Sequence, residues 1–227
     1  MGHLTRRHEH FIVLPALGLA YGRVPKVANS MLKRQLARAA GLQNRFDNGF
    51  SKDRDWRTKA PDAFLVTAAE LARDWPDVFT FAFVREPMSR LASCFRSKVA
   101  EAKRFSESFH NEGLRPDTPF ADFVRHVARR GDWRSNIHYR AQATILTRKG
   151  NVVPQFIGRF EALAEDWTRL SAEIEARGGT PLCPLPPRRQ TRPIVAAENY
   201  FKGDTKLVAL ARQRYAEDYR LFYPELT

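Results

Sequence analysis

The apolar positions follow two different rhythms along the chain. Residues 11–14 and 17–24 are short apolar runs carrying Tyr and Val, the pattern of strands placed centrally in a parallel sheet. Residues 30–40 switch to a helical period, with Met31, Leu32, Leu36 and Ala39 on one side and Lys33, Arg34 and Arg38 mostly on the other, until Gly41 stops it. Together they predict a strand, a loop and a helix. Residues 42–60 are polar with no sustained period and read as a surface loop. Residues 64–67 fit a short strand or a lead-in to a helix over 68–75, which Pro76 ends. Residues 78–84 (VFTFAFV) have no charge before Arg85 and predict a strand buried on both faces.

A helix follows, with Pro87 near its first position and Met88, Leu91, Phe95, Val99 and Ala102 as a core stripe. Ser89, Ser93, Arg96 and Ser97 share another face. After a loop over 111–119, Thr118-Pro119 caps a helix over 120–129 with Phe120, Phe123, Val124 and Val127 inward and His126 at its boundary. A strand over 152–159, a helix over 161–177 stopped by Gly178-Gly179, a stiff Pro- and Arg-rich loop over 181–193 and a last helix over 206–222 complete the reading. No internal repeat interrupts it. Strands alternating with helices predict an α/β protein.

Composition sharpens this. A chain of 227 residues, 43% hydrophobic with 16 Phe and 4 Trp, can bury a full core, so one globular domain over 1–227 is expected and disorder is not. A net charge of +13 favours polyanionic partners: nucleotides, nucleic acid, acidic polysaccharide or anionic lipid. The basic residues are spread along the chain, so a generally basic surface accounts for most of them. Cys94 and Cys183 have no metal-ligand spacing, which fits thiols in a reducing compartment. Arg6-Arg7 before residues 11–20 has the look of a short signal peptide, but the apolar run flows unbroken into the next loop, whose supporting strand cleavage would remove. No stretch reaches the roughly 20 apolar residues of a membrane span. A cytoplasmic protein without a transmembrane anchor is therefore expected.

Candidate chemistry concentrates in Pro25, Lys26, Val27, Ala28, Asn29, Ser30 and Met31. Free N–H groups at a helix start, a lysine beside them and the Ser30 hydroxyl suit a phosphate- or sulfate-like anion. The loop is not a Walker A motif, because it lacks the glycines and its lysine stands four residues before the serine. The plain alternative is a surface turn capped by Ser30 with Lys26 solvated. Arg85 at a strand end and Ser93 two turns into the next helix offer a second anion grip, the alternative being solvated serines.

Read in order, VPKVANSMLKRQL and FVREPMSRLASCFRSK resemble the paired signatures of the sulfotransferases, in particular the carbohydrate group that includes the chondroitin and HNK-1 enzymes. Residues 136–142 (NIHYRAQ) are similar to that group's His-Trp-x-Pro-Gln segment, with Tyr139 for Trp and Ala141 for Pro. Residues 156–161 (FIGRFE) resemble its Phe-Ile-Gly-Lys-Phe-Glu, and residues 214–222 resemble its closing helix. The resemblance implies a three-layer, P-loop-NTPase-like fold with a central, mostly parallel sheet and helices on both faces. It also implies the donor PAPS (3′-phosphoadenosine 5′-phosphosulfate).

On that resemblance, residues 25–31 hold the 5′-phosphosulfate and Lys26 stabilises the leaving group. Arg85 and Ser93 hold the 3′-phosphate, and Arg188, Arg189 or Arg192 close over the donor. An acceptor hydroxyl needs a general base. His138, matching the family's histidine, is the candidate, with Gln142 on its face if the segment is helical; a pocket-shaping His138 is the alternative, and Glu70, Asp53 and Asp55 are further candidates. The expected acceptor is a carbohydrate, and the basic surface would suit an acidic one. No metal cluster and no G-x-S-x-G elbow is present in the sequence. Competing readings are a nucleotide kinase of related fold, a basic nucleic-acid- or polyanion-binding protein, and a catalytically silent donor-binding relative.

Overall fold

The computed structural model describes residues 8–42, 49–186 and 197–227. In chain order the elements are β1 (Phe11–Leu14), β2 (Leu19–Gly22), α1 (Asn29–Ala39), α2 (Asp53–Lys59), β3 (Phe64–Val66), α3 (Ala68–Asp74), β4 (Phe79–Val84), α4 (Pro87–Phe95), α5 (Glu107–His110) and α6 (Phe120–Arg129). Then come α7 (Gln142–Leu146), β5 (Thr147–Arg148), β6 (Asn151–Val152), β7 (Phe156–Arg159), α8 (Leu163–Ala176), α9 (Ala197–Phe201), α10 (Thr205–Arg214) and α11 (Ala216–Phe222). Backbone contacts divide the chain into two compact units, Met1–Val84 with Ile145–Pro187, and Arg85–Thr144 with Arg188–Thr227.

The first unit carries a 5-stranded sheet in the order β3-β1-β2-β4-β7. β1 runs antiparallel to β2 and β3, while β2–β4 and β4–β7 are parallel. The sheet is therefore mixed, a correction to the mostly parallel expectation. A parallel return needs a crossover of a dozen or more residues, whereas Pro15–Leu17 forms a single 3-10 turn and Gly18, at φ 61, closes it by donating to the Pro15 carbonyl. Every residue of β1, β2 and β4 is buried. α3 packs on β1 and β3, and α8 packs on β7, with Trp167 of α8 against Phe83. Gly158 in β7 is required by close packing, since a Cβ there would lie 2.3 Å from the Phe83 ring. The predicted strand over 152–159 is broken into β6 and β7, and β6 pairs instead with β5 across a Lys149-Gly150 turn with φ of 50 and 81.

Residues 53–59 are a helix where a loop was expected. Trp56 anchors α2, fully buried, with its indole donating to the Phe50 carbonyl at 2.8 Å. A lone aromatic among charges gives no readable period.

In the second unit, α4 continues as a π-helical turn over Arg96–Ala100, so the expected α-helix does not extend to Ala102. Phe95, Phe120 and Phe201 form a ring cluster where α4, α6 and α9 meet. α6 begins after Pro119 without a side-chain cap, and Thr118 Oγ1 instead accepts from the Arg115 N–H. The closing helix is two helices, α10 and α11, parted at Tyr215.

Candidate functional site

The loop after β2 leads into α1 through two left-handed residues that are not glycine, Lys26 at φ 75 and Ala28 at φ 64. Left-handed backbone costs an L-residue about 1–2 kcal/mol, and such outliers collect where function holds them. Ala28 is the helix N-cap, and no side chain caps it. Ser30, the expected cap, is exposed in the first turn of α1 rather than ahead of it. The Met31 N–H donates to the Ala28 carbonyl at 2.8 Å, a correction to its expected place among the anion-facing donors, and no side chain caps the helix at Ala28. Alternating backbone of this kind forms anion-binding concavities. Lys26 is half-buried and Val27 fully buried.

Buried charge stands behind the loop in the same unit. Tyr21 donates to Asn29 Oδ1 at 3.0 Å, tying β2 to the first residue of α1. Burial raises the Tyr21 phenol well above its usual range, so it remains a neutral donor. Arg23 and Lys33 are almost fully buried and share one carboxylate, Asp53, at 2.6 and 2.9 Å. Burial opposes ionisation of Asp53, yet the two cations hold its carboxyl below the ordinary range. Burial pushes the Lys33 ammonium down against the same carboxylate. Arg23 also donates to the Glu9 carbonyl.

Parallel pairing of β2, β4 and β7 brings their carboxyl ends to one edge of the sheet, the usual ligand side of an α/β sheet. Arg159 ends β7 there, and buried Asp166 accepts from its N–H at 2.6 Å.

The second unit opens on Arg85, half-buried, ahead of α4. Here the helix entrance is closed. Glu86 is the N-cap, and its carboxylate accepts from the N–H groups of Met88 at 3.0 Å and Ser89 at 2.6 Å. Ser93 lies half-buried on the same helix. Gln142, fully buried, grips the Arg85 backbone from both sides: its Oε1 accepts from the Arg85 N–H at 2.9 Å and its Nε2 donates to the Arg85 carbonyl at 2.8 Å. Gln142 opens α7 and spends its side chain on this backbone, so the expectation that it shares a helical face with His138 is corrected.

His138 is half-buried beside Phe109, with ring centroids 6.4 Å apart. Its backbone N–H donates to Asn136 Oδ1 at 3.1 Å. Arg90 of α4, fully buried, donates to the Arg140 carbonyl at 2.7 Å, and Tyr215 donates to the Tyr139 carbonyl at 2.7 Å. Tyr139 itself is fully buried with its hydroxyl on Glu112, so this tyrosine belongs to the scaffold of the segment. Arg90 was not singled out from the sequence, because at helical spacing it falls on the serine face of α4, away from the apolar stripe, and gives no local signal of burial.

The other candidate bases carry structural bonds. Asp53 holds Arg23 and Lys33, buried Asp55 lies 3.7 Å from Lys59, and Glu70 forms a capping box with Thr67 at the start of α3. Arg188, Arg189 and Arg192 lie outside the described residues. Among the described residues no group of three or more His, Cys, Asp or Glu is arranged to hold a metal ion, and no helix is long and apolar enough to cross a membrane.

Comparison with known proteins finds similar sequences that share one name. Carbohydrate sulfotransferase 14 of Danio rerio is 28% identical over 238 residues, covering 95% of this chain and 62% of its own length. The Mus musculus and Homo sapiens proteins of the same name are 28% identical over 182 residues, covering 74% of this chain and 47% of theirs. The chain thus spans about half to three-fifths of the length of these curated relatives. No solved structure matches it significantly. The model of the sulfotransferase family matches residues 9–224, a span that takes in both helix entrances and the His138 segment, and the chain belongs to that family of transferases.

Proposed function

We propose that this chain is a PAPS-dependent sulfotransferase acting on a hydroxyl of a carbohydrate, with both units working as one domain of the P-loop-NTPase-like sulfotransferase fold. The observation that carries the reading is the entrance of α1, where Lys26 and Ala28 both take left-handed backbone and no side chain caps the helix at Ala28. A phosphosulfate needs such a setting: fixed N–H donors and one compact cation. The buried Arg23–Lys33–Asp53 group adds positive charge behind it. The relatives named carbohydrate sulfotransferase 14 support a sugar acceptor, and a net charge of +13 suits an acidic one.

PAPS, when bound, supplies the sulfuryl group and a phosphate leaving group. Lys26 would neutralise the charge that grows on the bridging oxygen as its bond to sulfur breaks. The N–H groups of residues 27–30 and the Ser30 hydroxyl would hold the 5′-phosphate side. Arg85 and Ser93 would hold the 3′-phosphate, where a guanidinium can bind bidentately. His138 would take the acceptor hydroxyl's proton as the new sulfur–oxygen bond forms. Arg189 and Arg192 are proposed to cover the donor.

Thermal-shift titration with the product nucleotide PAP, with ATP and with a short DNA tests this. Stabilisation by micromolar PAP that disappears in Lys26→Ala and Arg85→Ala is the expected result. No response to PAP contradicts the reading. Stabilisation by DNA that falls steeply with salt and ignores Lys26 points to polyanion binding. Labelled PAPS with a panel of carbohydrates identifies the acceptor. His138→Ala should bind PAP as the wild type does while turnover falls about 100-fold or more; unchanged turnover removes His138 from the role.

A further inference from the structure

The Arg85–Glu86 turn is held by more than its own helix. Behind Gln142 stands Asp218 of α11, with no exposure at all. Its carboxylate accepts from the backbone N–H of Gln142 at 2.9 Å and of Ala143 at 2.7 Å, and from the Gln142 side-chain Nε2 at 3.4 Å. One residue further along α11, the Tyr219 hydroxyl donates to Glu86 Oε1, the carboxylate that also caps α4. The last helix of the chain therefore reaches this turn by two routes, one through Gln142 to the Arg85 backbone and one through Glu86.

These are costly groups to bury for packing alone. A buried carboxylate and a buried primary amide need nearly all their hydrogen-bonding capacity met. Here the demand is met by the backbone N–H and carbonyl of Arg85 and by the start of α7. Gln142 acts on Arg85 as a neighbouring strand would, taking its N–H and supplying a donor to its carbonyl. A residue clamped at both backbone groups cannot swing, so its side chain starts from a fixed origin. Glu86 adds a second consequence. Because its carboxylate occupies the N–H groups of Met88 and Ser89, the entrance of α4 presents no bare backbone donors there, and selectivity for an anion is left to side chains.

We infer that Gln142, Asp218 and Tyr219 are positioning residues that fix the Arg85 guanidinium, and with it the preference for a nucleotide carrying a 3′-phosphate. The inference rests on the reading that Arg85 holds that phosphate. A misplacement of about 1 Å in such a group can cost up to about 100-fold, so loosening the clamp should weaken 3′-phosphate binding and leave contacts elsewhere on the nucleotide intact.

Calorimetric titration of the full chain with PAP and with adenosine 5′-monophosphate, which lacks the 3′-phosphate, separates the possibilities. Gln142→Met keeps the side-chain length and removes both bonds to Arg85. Tyr219→Phe keeps the buried ring and removes only the hydroxyl, so it carries the test if the first variant folds poorly. About tenfold weaker PAP binding in Gln142→Met and severalfold in Tyr219→Phe, with the monophosphate unaffected, is expected. Loss of both ligands in parallel means a role in stability alone and overturns the inference, as does no change in either. A wild-type chain without preference for PAP overturns the donor reading and the inference with it. A preference abolished by Arg85→Ala but untouched by Gln142→Met and Tyr219→Phe overturns the inference alone.

Discussion

The helices α1 and α4 each open after a strand and a short turn, and they open in opposite ways. α1 begins with no side-chain cap at Ala28, behind a loop with two left-handed residues, Lys26 and Ala28. α4 begins with Glu86 bonded to two of its N–H groups and with the preceding residue clamped by Gln142. On the proposed function, the same strand-to-helix device would serve as a backbone anion cradle in one place and as a mount for a guanidinium in the other. A helix N-terminus attracts anions only while its own sequence leaves the N–H groups exposed; a carboxylate at the cap position removes that property and stabilises the helix instead.

Substitutions can break the contrast, and Lys26→Ala should act most strongly. Sulfuryl transfer should fall about 100- to 1,000-fold, the scale for deleting one preorganised electrostatic contact, with a melting temperature close to that of the wild type. A transfer assay with labelled donor reads this directly, and unchanged turnover would reduce the α1 entrance to a surface turn.

Asp53→Ala comes next. It leaves Arg23 and Lys33 buried without their shared carboxylate and should destabilise the fold by about 3 kcal/mol, the lower end for a broken buried pair because Asp53 is about a third exposed. Denaturant unfolding measures it. The same group predicts an acid dependence. Since the folded carboxyl sits below its ordinary value of 3.8, its contribution is present above that pH and is lost as the pH falls through and below it. Asp53→Ala should flatten that part of the stability profile.

Glu86→Ala should cost about 1 kcal/mol through the lost cap. It should also make α4 resemble α1, so that sulfate raises the melting temperature of this variant more than that of the wild type. The smallest effect belongs to Ala28→Gly. Glycine relieves the left-handed backbone, and a gain of up to about 1 kcal/mol is expected. A clear loss would show that the loop is not strained there.

Much of this was legible in the residues. The apolar runs at 11–14 and 78–84 became fully buried strands, and the period of 30–40 became α1. Both helix entrances could be placed from Pro25-Lys26 and Arg85-Glu86-Pro87. What the pattern could not carry was the direction of strand pairing, because Pro15 to Gly18 looks the same as the end of one strand and as a hairpin turn. Nor could it show α2, whose burial rests on Trp56 and Asp55 amid charges. The opposed caps were hidden for a different reason. Glu86 reads as a matching family residue, and its bonds to Met88 and Ser89 appear only with the fold. The partnership of Gln142 with Arg85 joins residues 57 apart, beyond the reach of any local period.

The contrast between the two entrances meets its most direct test in the binding of adenosine 5′-monophosphate and adenosine 3′-monophosphate to the wild type, Lys26→Ala and Arg85→Ala, followed by calorimetry. A crossed pattern is predicted: Lys26→Ala loses the 5′-phosphate ligand and keeps the 3′-phosphate one, while Arg85→Ala does the reverse. If each variant weakens both ligands to the same extent, or neither, the assignment of one phosphate to each entrance is wrong.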